Sequence, residues 1–186
     1  SKNSSNSSSS SDKQLPRYYF ATNLRDDSIQ MPHYILSLLQ TLLRLPRDSV
    51  FVSVYESNSD DGVQGWIDVL QLAVNVIGTH NRIVTRGMLV RTNGQHRIQF
   101  LAQVRNMAMA PLYNHYARTD RDSATSSSSS SSSSGSSSAA FGTLPWEPDY
   151  IVFINDVYFC WGMVLRLMNY RADITCGTDW WQNKGA

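Results

Sequence analysis

The chain has 186 residues, with 41% hydrophobic residues, 11% aromatic residues and a formal net charge of +1. This composition is sufficient for one hydrophobic core of ordinary size, and it excludes a chain that is disordered throughout. Sixteen basic residues stand against fifteen acidic ones, with no basic stripe interleaved with aromatics, which argues against nucleic acid as a partner.

Two serine-rich segments divide the chain. Residues 1–14 contain almost only Ser, Asn, Lys, Asp and Gln, and residues 123–140 form a second serine-rich tract. Such segments bury too little apolar surface to offset the entropy of ordering them, so both are predicted to be disordered. Because a surface insertion costs little free energy, residues 15–122 and 141–186 are expected to form one domain around the second tract.

The predicted elements alternate between strand and helix. Runs rich in β-branched and aromatic residues predict strands over residues 18–22, 50–55, 82–85 and 151–156, and a last strand around residue 174. Apolar residues at helical spacing predict four helices. The core-facing residues are Ile35, Leu38, Leu39 and Leu42 in the first helix and Trp66, Leu70, Ala73 and Ile77 in the second. They are Ile98, Leu101, Val104, Ala108 and Leu112 in the third helix, over residues 97–112, and Val164, Leu167 and Met168 in the fourth. The alternation predicts an α/β fold with a Rossmann-like, mainly parallel sheet flanked by helices.

The apolar run over residues 151–157 stops at an amide and a carboxylate, Asn155 and Asp156. Its continuous apolar character predicts a strand that is buried on both faces. Ligands of parallel sheets bind at the carboxyl ends of the strands, and a carboxylate there is suited to holding a divalent cation against a diphosphate. The alternative is a turn in which both side chains hydrogen-bond to their own backbone.

The loop after the second predicted strand also carries polar groups that suit a ligand site. Glu56, Ser57, Asp60 and Asp61 offer carboxylates and hydroxyls that can hydrogen-bond a ribose or a base. For the two aspartates, capping of the following helix is an equally good interpretation. Glu56 lies too early in the chain to cap that helix, so it is the better functional candidate.

The third predicted helix contributes Arg97, Arg105 and Asn106. Arg105 is predicted to lie near the edge of the buried stripe, where a guanidinium needs an anion. A diphosphate would suit its planar fork of donors, and an internal aspartate is the alternative. These residues alone favour the internal aspartate.

The last part of the chain contains two cysteines and a carboxylate beside two tryptophans. Cys160 and Cys176 form no C-x-x-C pair, so they are predicted to be buried free thiols, with a disulfide as the alternative. Asp179 precedes Trp180 and Trp181, which can either stack on a sugar ring or pack in a core.

Four blocks of sequence carry a resemblance to one family. They are SVYESNSD at residues 53–60, the pairs and runs RI, LAQVRN and PL within residues 97–112, FINDV at residues 153–157, and ADITC with DW within residues 172–180. In this order they resemble the fungal capsule-associated α-1,3-mannosyltransferases, a cryptococcal mannosyltransferase-like family also known as glycosyltransferase family 69. The resemblance covers roughly residues 17–181.

The resemblance implies a GT-A-type glycosyltransferase that is held in the Golgi membrane by an upstream anchor. It implies transfer of mannose from GDP-mannose to a mannoside or glycan acceptor, giving an α-1,3 linkage with retention, assisted by Mn²⁺ or Mg²⁺. It implies the following roles: Asp156, with Asn155, at the metal; Glu56, Ser57, Asp60, Arg105 and Asn106 at the donor nucleotide and its phosphates; and Asp179 near the sugar.

A second hypothesis follows from the length of the chain. Family members continue with an acceptor-binding half, whereas this sequence stops soon after the Asp179 block. The alternative expectation is therefore a truncated, non-catalytic member that acts as a binding or interaction module. An unrelated Rossmann-like enzyme is disfavoured, because the sequence has no G-x-G-x-x-G and no Walker A motif.

Overall fold

The computed structural model describes residues 15–125, 143–155, 157–170 and 172–176. Within these ranges no helix is long and apolar enough to cross a membrane. The elements, in chain order, are β1 (Tyr18–Leu24), α1 (Met31–Leu42), β2 (Val50–Glu56), α2 (Val63–Ile77), β3 (His80–Val84), α3 (Arg97–Thr125), β4 (Tyr150–Ile154) and α4 (Trp161–Met168), with a short 3-10 turn at Arg47–Ser49.

The four strands form one sheet in the order β3-β2-β1-β4, and all three strand pairs are parallel. The predicted α/β, Rossmann-like sheet is therefore confirmed. The chain adds β2 and β3 on one side of β1 and then crosses over to place β4 on the other side. The change of direction between β1 and β4 is the switch point of the sheet, where ligands of such folds bind.

Helices cover both faces of the sheet. Phe20 and Val52 belong to a core cluster that includes residues of α1, α2 and α4. Their neighbours Tyr19 and Phe51 belong to a second cluster with residues of α3. Successive strand residues point to opposite faces, so β1 and β2 must be largely apolar to satisfy both layers. The placement of α3 opposite α1 and α2 is what right-handed crossovers require once the sheet reverses direction.

The prediction that the fourth strand is buried on both faces is wrong. Ile151 is 51% exposed, and only Ile154 of β4 is fully buried. Within the described part of the sheet β4 has a neighbour on one side only, whereas every residue of the inner strand β2 is buried. The composition of an apolar run does not reveal whether the strand is central or at an edge.

The core-facing residues of α1 are as predicted, since Ile35, Leu38 and Leu42 are buried. The predicted face of α2 is wrong in part, because Trp66 is 39% exposed and the chain buries Ile67 instead. The exposed side of α2 also carries the apolar residues Val69, Leu72 and Val76. A helix that is apolar on two sides does not define a single core face by its periodicity.

Three further expectations about the second half of the chain need correction. Helix α3 continues to Thr125, past the predicted end at residue 112, and buries Phe100 rather than Ile98. The described residues 172–176 contain no strand, and Ile174 among them is 82% exposed. Cys160 and Cys176 are exposed free thiols, neither buried nor bonded to each other.

Two buried tyrosines make the stability of this fold sensitive to alkaline pH. The hydroxyl of Tyr19 donates to the carbonyl of Ala108 at 2.8 Å, and that of Tyr34 lies 2.6 Å from the hydroxyl of Thr22. Burial raises the pKa of Tyr19 to about 12, and burial also raises the pKa of Tyr34. In the unfolded chain both phenols ionise near pH 10, so above that pH ionisation favours the unfolded state.

We therefore expect the free energy of unfolding, measured in urea, to be constant up to about pH 9 and to fall between pH 10 and 12. Tyr19 alone accounts for a loss of roughly 2 to 3 kcal/mol at the alkaline end. The Tyr19→Phe variant should show a shallower fall, and Tyr170→Phe, at a tyrosine that is 59% exposed, should follow the parent chain. Identical pH profiles for all three proteins would contradict this account.

Candidate functional site

Three loops leave the carboxyl edge of the sheet. We call them the β1 loop (residues 25–30), the β2 loop (residues 57–62) and the β3 loop (residues 85–96). At the switch point the edge is completed by Asn155, which directly follows β4. The candidate site therefore consists of these loops and of the ends of β1 and β4.

The β1 and β2 loops are hydrogen-bonded to each other along their length. Asp26 has a left-handed backbone conformation with a φ of 54°, and its position is fixed from both sides. Three bonds join the loops: Asp26 N to Ser59 Oγ at 3.0 Å, Asp60 N to Asp26 Oδ1 at 3.2 Å, and Ser28 N to Asp61 Oδ2 at 2.7 Å. A fourth bond, from Ser57 N to Leu24 O at 3.0 Å, joins the β2 loop to the last residue of β1. The two loops thus form one connected polar surface.

Glu56, the last residue of β2, is fully buried and points into this surface rather than out of it. Its Oε1 accepts the backbone N–H of Ser59 at 2.5 Å, and its Oε2 accepts the backbone N–H of Arg86 at 2.5 Å. Both carboxylate oxygens are therefore engaged by the β2 and β3 loops. A direct contact between Glu56 and a nucleotide stays a prediction.

The side chains of the other predicted residues of the β2 loop differ in burial and in hydrogen bonding. Ser57 is buried, and its hydroxyl donates to the carbonyl of Leu89 at 2.9 Å. The exposed side chain of Asp60 has no hydrogen bond or ion pair with any residue that the structure describes. Of the predicted residues in this loop, Asp60 is the one whose carboxylate is available to a ligand hydroxyl.

Asp61 serves the local structure, in agreement with the capping interpretation. Its Oδ1 accepts the first helical N–H of α2, from Val63, at 3.2 Å, and its Oδ2 accepts the N–H of Ser28. Desolvation alone would raise the pKa of this carboxyl, but hydrogen bonds from Ser28 and Val63 outweigh it and hold the pKa below the ordinary value.

A second group of polar residues meets at the switch point, on the face covered by α3. Thr22 pairs with Ile154. The next residues along the two strands, Asn23 and Asn155, therefore lie side by side at the carboxyl edge of the sheet. The guanidinium of Arg105 lies 5.8 Å from the ring centre of Phe153, two residues before Asn155. The structure therefore brings Arg105 and Asn155, both predicted as site residues, to the same end of β4.

The surroundings of Arg105 differ from the predicted ones in its exposure to solvent. It is exposed and stacks over Phe153, and within the described ranges it forms no ion pair with an internal aspartate. No aspartate of the described ranges is that partner, since the residue lies one position past Val104, on the outer flank of α3, and an internal partner stays a prediction. Its planar fork of donors suits an anion such as a diphosphate.

Asn106 and Arg97 do not join this group in the structure. Asn106 is exposed on α3, and its nearest polar partner is the hydroxyl of Tyr113 at 3.5 Å, further along the helix. Arg97 is exposed at the first position of α3. Two other predicted site residues, Asp156 and Asp179, lie outside the described residues, so their roles stay predictions.

Sequence reasoning missed Asn23, which is the most informative polar group of the switch point. Its Oδ1 is buried and has no hydrogen-bond partner within the described part of the chain. A buried amide oxygen without a partner costs free energy, so a bound ion or ligand that contacts it would recover that cost. The signal was visible in the sequence as an asparagine near the carboxyl end of an otherwise apolar strand.

The donor atoms at this edge suit a hard cation in type. Asn23 and Asn155 carry amide oxygens, and Asp156 follows Asn155 in the sequence. Divalent Mg²⁺ and Mn²⁺ prefer such oxygen ligands. Among the described residues no group of three or more His, Cys, Asp or Glu side chains is arranged to hold a metal.

The fold and this edge together define an α/β protein of the Rossmann-like class, with its candidate ligand site at the switch point of a parallel sheet. Comparison with known families is more specific, since the family model described as Cryptococcal mannosyltransferase 1 matches residues 17–185. The chain belongs to this cryptococcal mannosyltransferase family.

One curated relative illustrates the relationship. The α-1,3-mannosyltransferase CMT1 of Cryptococcus neoformans var. neoformans serotype D (strain JEC21 / ATCC MYA-565) is 27% identical over 178 residues. The aligned region is 90% of this chain and 33% of the relative, so the chain spans about a third of the length of that protein. No solved structure matches the chain.

Proposed function

We propose that this chain forms the donor-binding region of a glycosyltransferase that moves mannose from GDP-mannose to a hydroxyl of a mannoside or glycan acceptor, with an α-1,3 linkage. Membership of a mannosyltransferase family supports mannosyl transfer. The observation that carries the proposal is the buried, unpartnered amide oxygen of Asn23 at the switch point, where Asn155 follows β4 and Arg105 lies over the ring of Phe153.

In the proposed reaction the bond between the anomeric carbon of mannose and the diphosphate oxygen breaks. A new bond forms between that carbon and the 3-hydroxyl oxygen of the acceptor, with retention of configuration, and the acceptor proton and GDP leave. Arg105 would donate to diphosphate oxygens, and its charge would offset the negative charge that grows there. Asp60 would accept hydrogen bonds from ribose hydroxyls, and Asp179 would approach the sugar.

A divalent cation, Mn²⁺ or Mg²⁺, belongs to the same proposal. Asp156 with Asn155 would hold it, and it would neutralise the charge of the leaving diphosphate. The proposed setting is the lumenal side of the Golgi membrane, with an anchor upstream of residue 1. The acceptor is expected to be a glycan rather than a nucleic acid, given the balanced charge of the chain.

The proposal predicts that Arg105→Ala weakens the binding of GDP-mannose. A hydrogen bond from a charged group contributes about 1.5 to 3 kcal/mol, so Kd should rise about 10- to 100-fold. Isothermal titration of the purified chain at low salt, in the presence of Mn²⁺, measures this directly. Arg118→Ala, at another exposed arginine on the same helix, is the matched control and should bind like the parent chain. Equal Kd values for both variants would contradict the assignment of Arg105.

An acceptor assay separates this proposal from a non-catalytic binding module. The chain is incubated with GDP-mannose, Mn²⁺ and an α-linked mannobiose, and released GDP and lengthened glycan are quantified. Release of GDP that depends on the acceptor is the result expected for a transferase. Donor binding without any lengthened glycan would instead identify a module that binds the nucleotide sugar.

A further inference from the structure

The carboxylate of Glu56 bridges two loops that are distant in sequence. It accepts one backbone N–H from Ser59 in the β2 loop and another from Arg86 in the β3 loop, both at 2.5 Å. The backbone carbonyl of Glu56 also accepts the N–H of Gly87 at 2.9 Å. The β3 loop is therefore fastened to the end of β2 through both the side chain and the backbone of one residue.

The bridge continues into the β1 loop. Ser59, which donates its N–H to Glu56, accepts the N–H of Asp26 on its hydroxyl at 3.0 Å. Asp26 in turn accepts the N–H of Asp60 at 3.2 Å. Glu56 thus lies at the start of a chain of hydrogen bonds that ends at Asp60, whose exposed carboxylate is the group available to a ligand.

The chemistry of the bridge requires a carboxylate of this length. Glu56 is fully buried, and no Lys or Arg of the described ranges pairs with it, so the two N–H groups are its stabilising partners. A buried charge needs such partners. Glutamine would place an NH₂ group against one of the two N–H donors, and aspartate would be shorter by one methylene.

We propose that Glu56 is a positioning residue for the donor site: it makes no contact with the nucleotide sugar and instead holds the β2 and β3 loops so that Asp60 is presented to the ligand. The inference rests on the proposed function, because the ligand is taken to be GDP-mannose. Its structural half, the bridging of two loops by one carboxylate, is independent of that function and is tested separately.

The test compares Glu56→Gln with Glu147→Gln, the same change at the other glutamate of the chain, which is exposed. Residue-resolved hydrogen exchange is expected to accelerate at least tenfold at the amides of Ser59 and Arg86 in Glu56→Gln only, since those two bonds are lost or weakened. Calorimetric titration with GDP-mannose in the presence of Mn²⁺ is expected to give a Kd about tenfold higher, with an unchanged stoichiometry.

Each other result overturns the proposal in a distinct way. Weaker binding with unchanged exchange at Ser59 and Arg86 would mean that Glu56 contacts the ligand itself. Faster hydrogen exchange with an unchanged Kd would mean that the role of Glu56 is only structural. A lower number of binding sites per chain with an unchanged Kd would mean the same. If the parent chain does not bind GDP-mannose, the proposed function fails, and the exchange data alone decide whether Glu56 holds the loops.

The parent chain provides the test if Glu56→Gln does not fold. Ser59 and Arg86 lie in loops, yet the bridge predicts that their amides exchange as slowly as amides within β2. Fast exchange at either amide in the parent chain, at the rate of the exposed loop residues around Gly94, would overturn the bridge.

Discussion

The Gly87→Ala variant is expected to lose about 3 kcal/mol of the free energy of unfolding, at the upper end of the range for overpacking. Gly87 lies against the buried ring of Tyr55, and an added Cβ would overlap the ring carbon Cζ and the hydroxyl of that residue. It would also lie 2.6 Å from the backbone carbonyl oxygen of Glu56. Neither neighbour can move without disturbing β2, which is buried along its whole length.

Urea denaturation measures this loss, and Gly65→Ala is its control. Gly65 lies inside α2, where an added Cβ meets no atom within 4 Å. Because alanine favours the helix over glycine, this control should gain about 0.5 to 1 kcal/mol. Since Gly87 does not have a positive φ, the loss of stability in Gly87→Ala would report the steric contact and not backbone strain. A change of less than about 0.5 kcal/mol at Gly87 would contradict the placement of the β3 loop on Tyr55.

The second large effect concerns the face of α2 that packs on the sheet. Leu70 is fully buried in the cluster shared with α1 and α4, so Leu70→Ala should lower the free energy of unfolding by about 2 to 5 kcal/mol. Leu72, two residues further along the same helix, is 66% exposed. Leu72→Ala should therefore change stability by no more than about 0.5 kcal/mol.

The comparison of these two leucines tests the orientation of α2 directly. Both variants remove the same atoms from the same helix, so differences in helix propensity cancel. Similar losses for the two variants would show that both sides of α2 are covered in solution. A larger loss at Leu72 would mean that the helix is rotated from the orientation described above.

The sheet could be predicted from the sequence because its inner strands leave few alternatives. Residues 50–55 are apolar or small at every position, which suits a strand covered on both faces, and α1 has a single apolar face. The two sides of α2 and the edge position of β4 could not be predicted in the same way. Both depend on which elements lie next to them, and this information is not contained in the local residue pattern.

The candidate site shows the same division between local and long-range information. That Glu56 and Asn155 lie at strand ends follows from the lengths of the strands. The inward direction of the Glu56 side chain depends on the N–H of Arg86, a residue of another loop. No local sequence pattern indicates this contact. Asn23 was missed although its polar side chain interrupts an apolar strand, a pattern that identifies a residue with an unusual environment.

We propose that the carboxyl edge of the sheet binds a nucleotide sugar with the help of a divalent cation. Calorimetric titration with GDP-mannose, with and without Mn²⁺, tests it most directly, with Asp156→Ala measured beside the parent chain. Binding by the parent chain is expected to require Mn²⁺ and to be lost in the variant. No binding by a folded parent chain at millimolar GDP-mannose and saturating Mn²⁺, or equal binding by the Asp156→Ala variant, would contradict it.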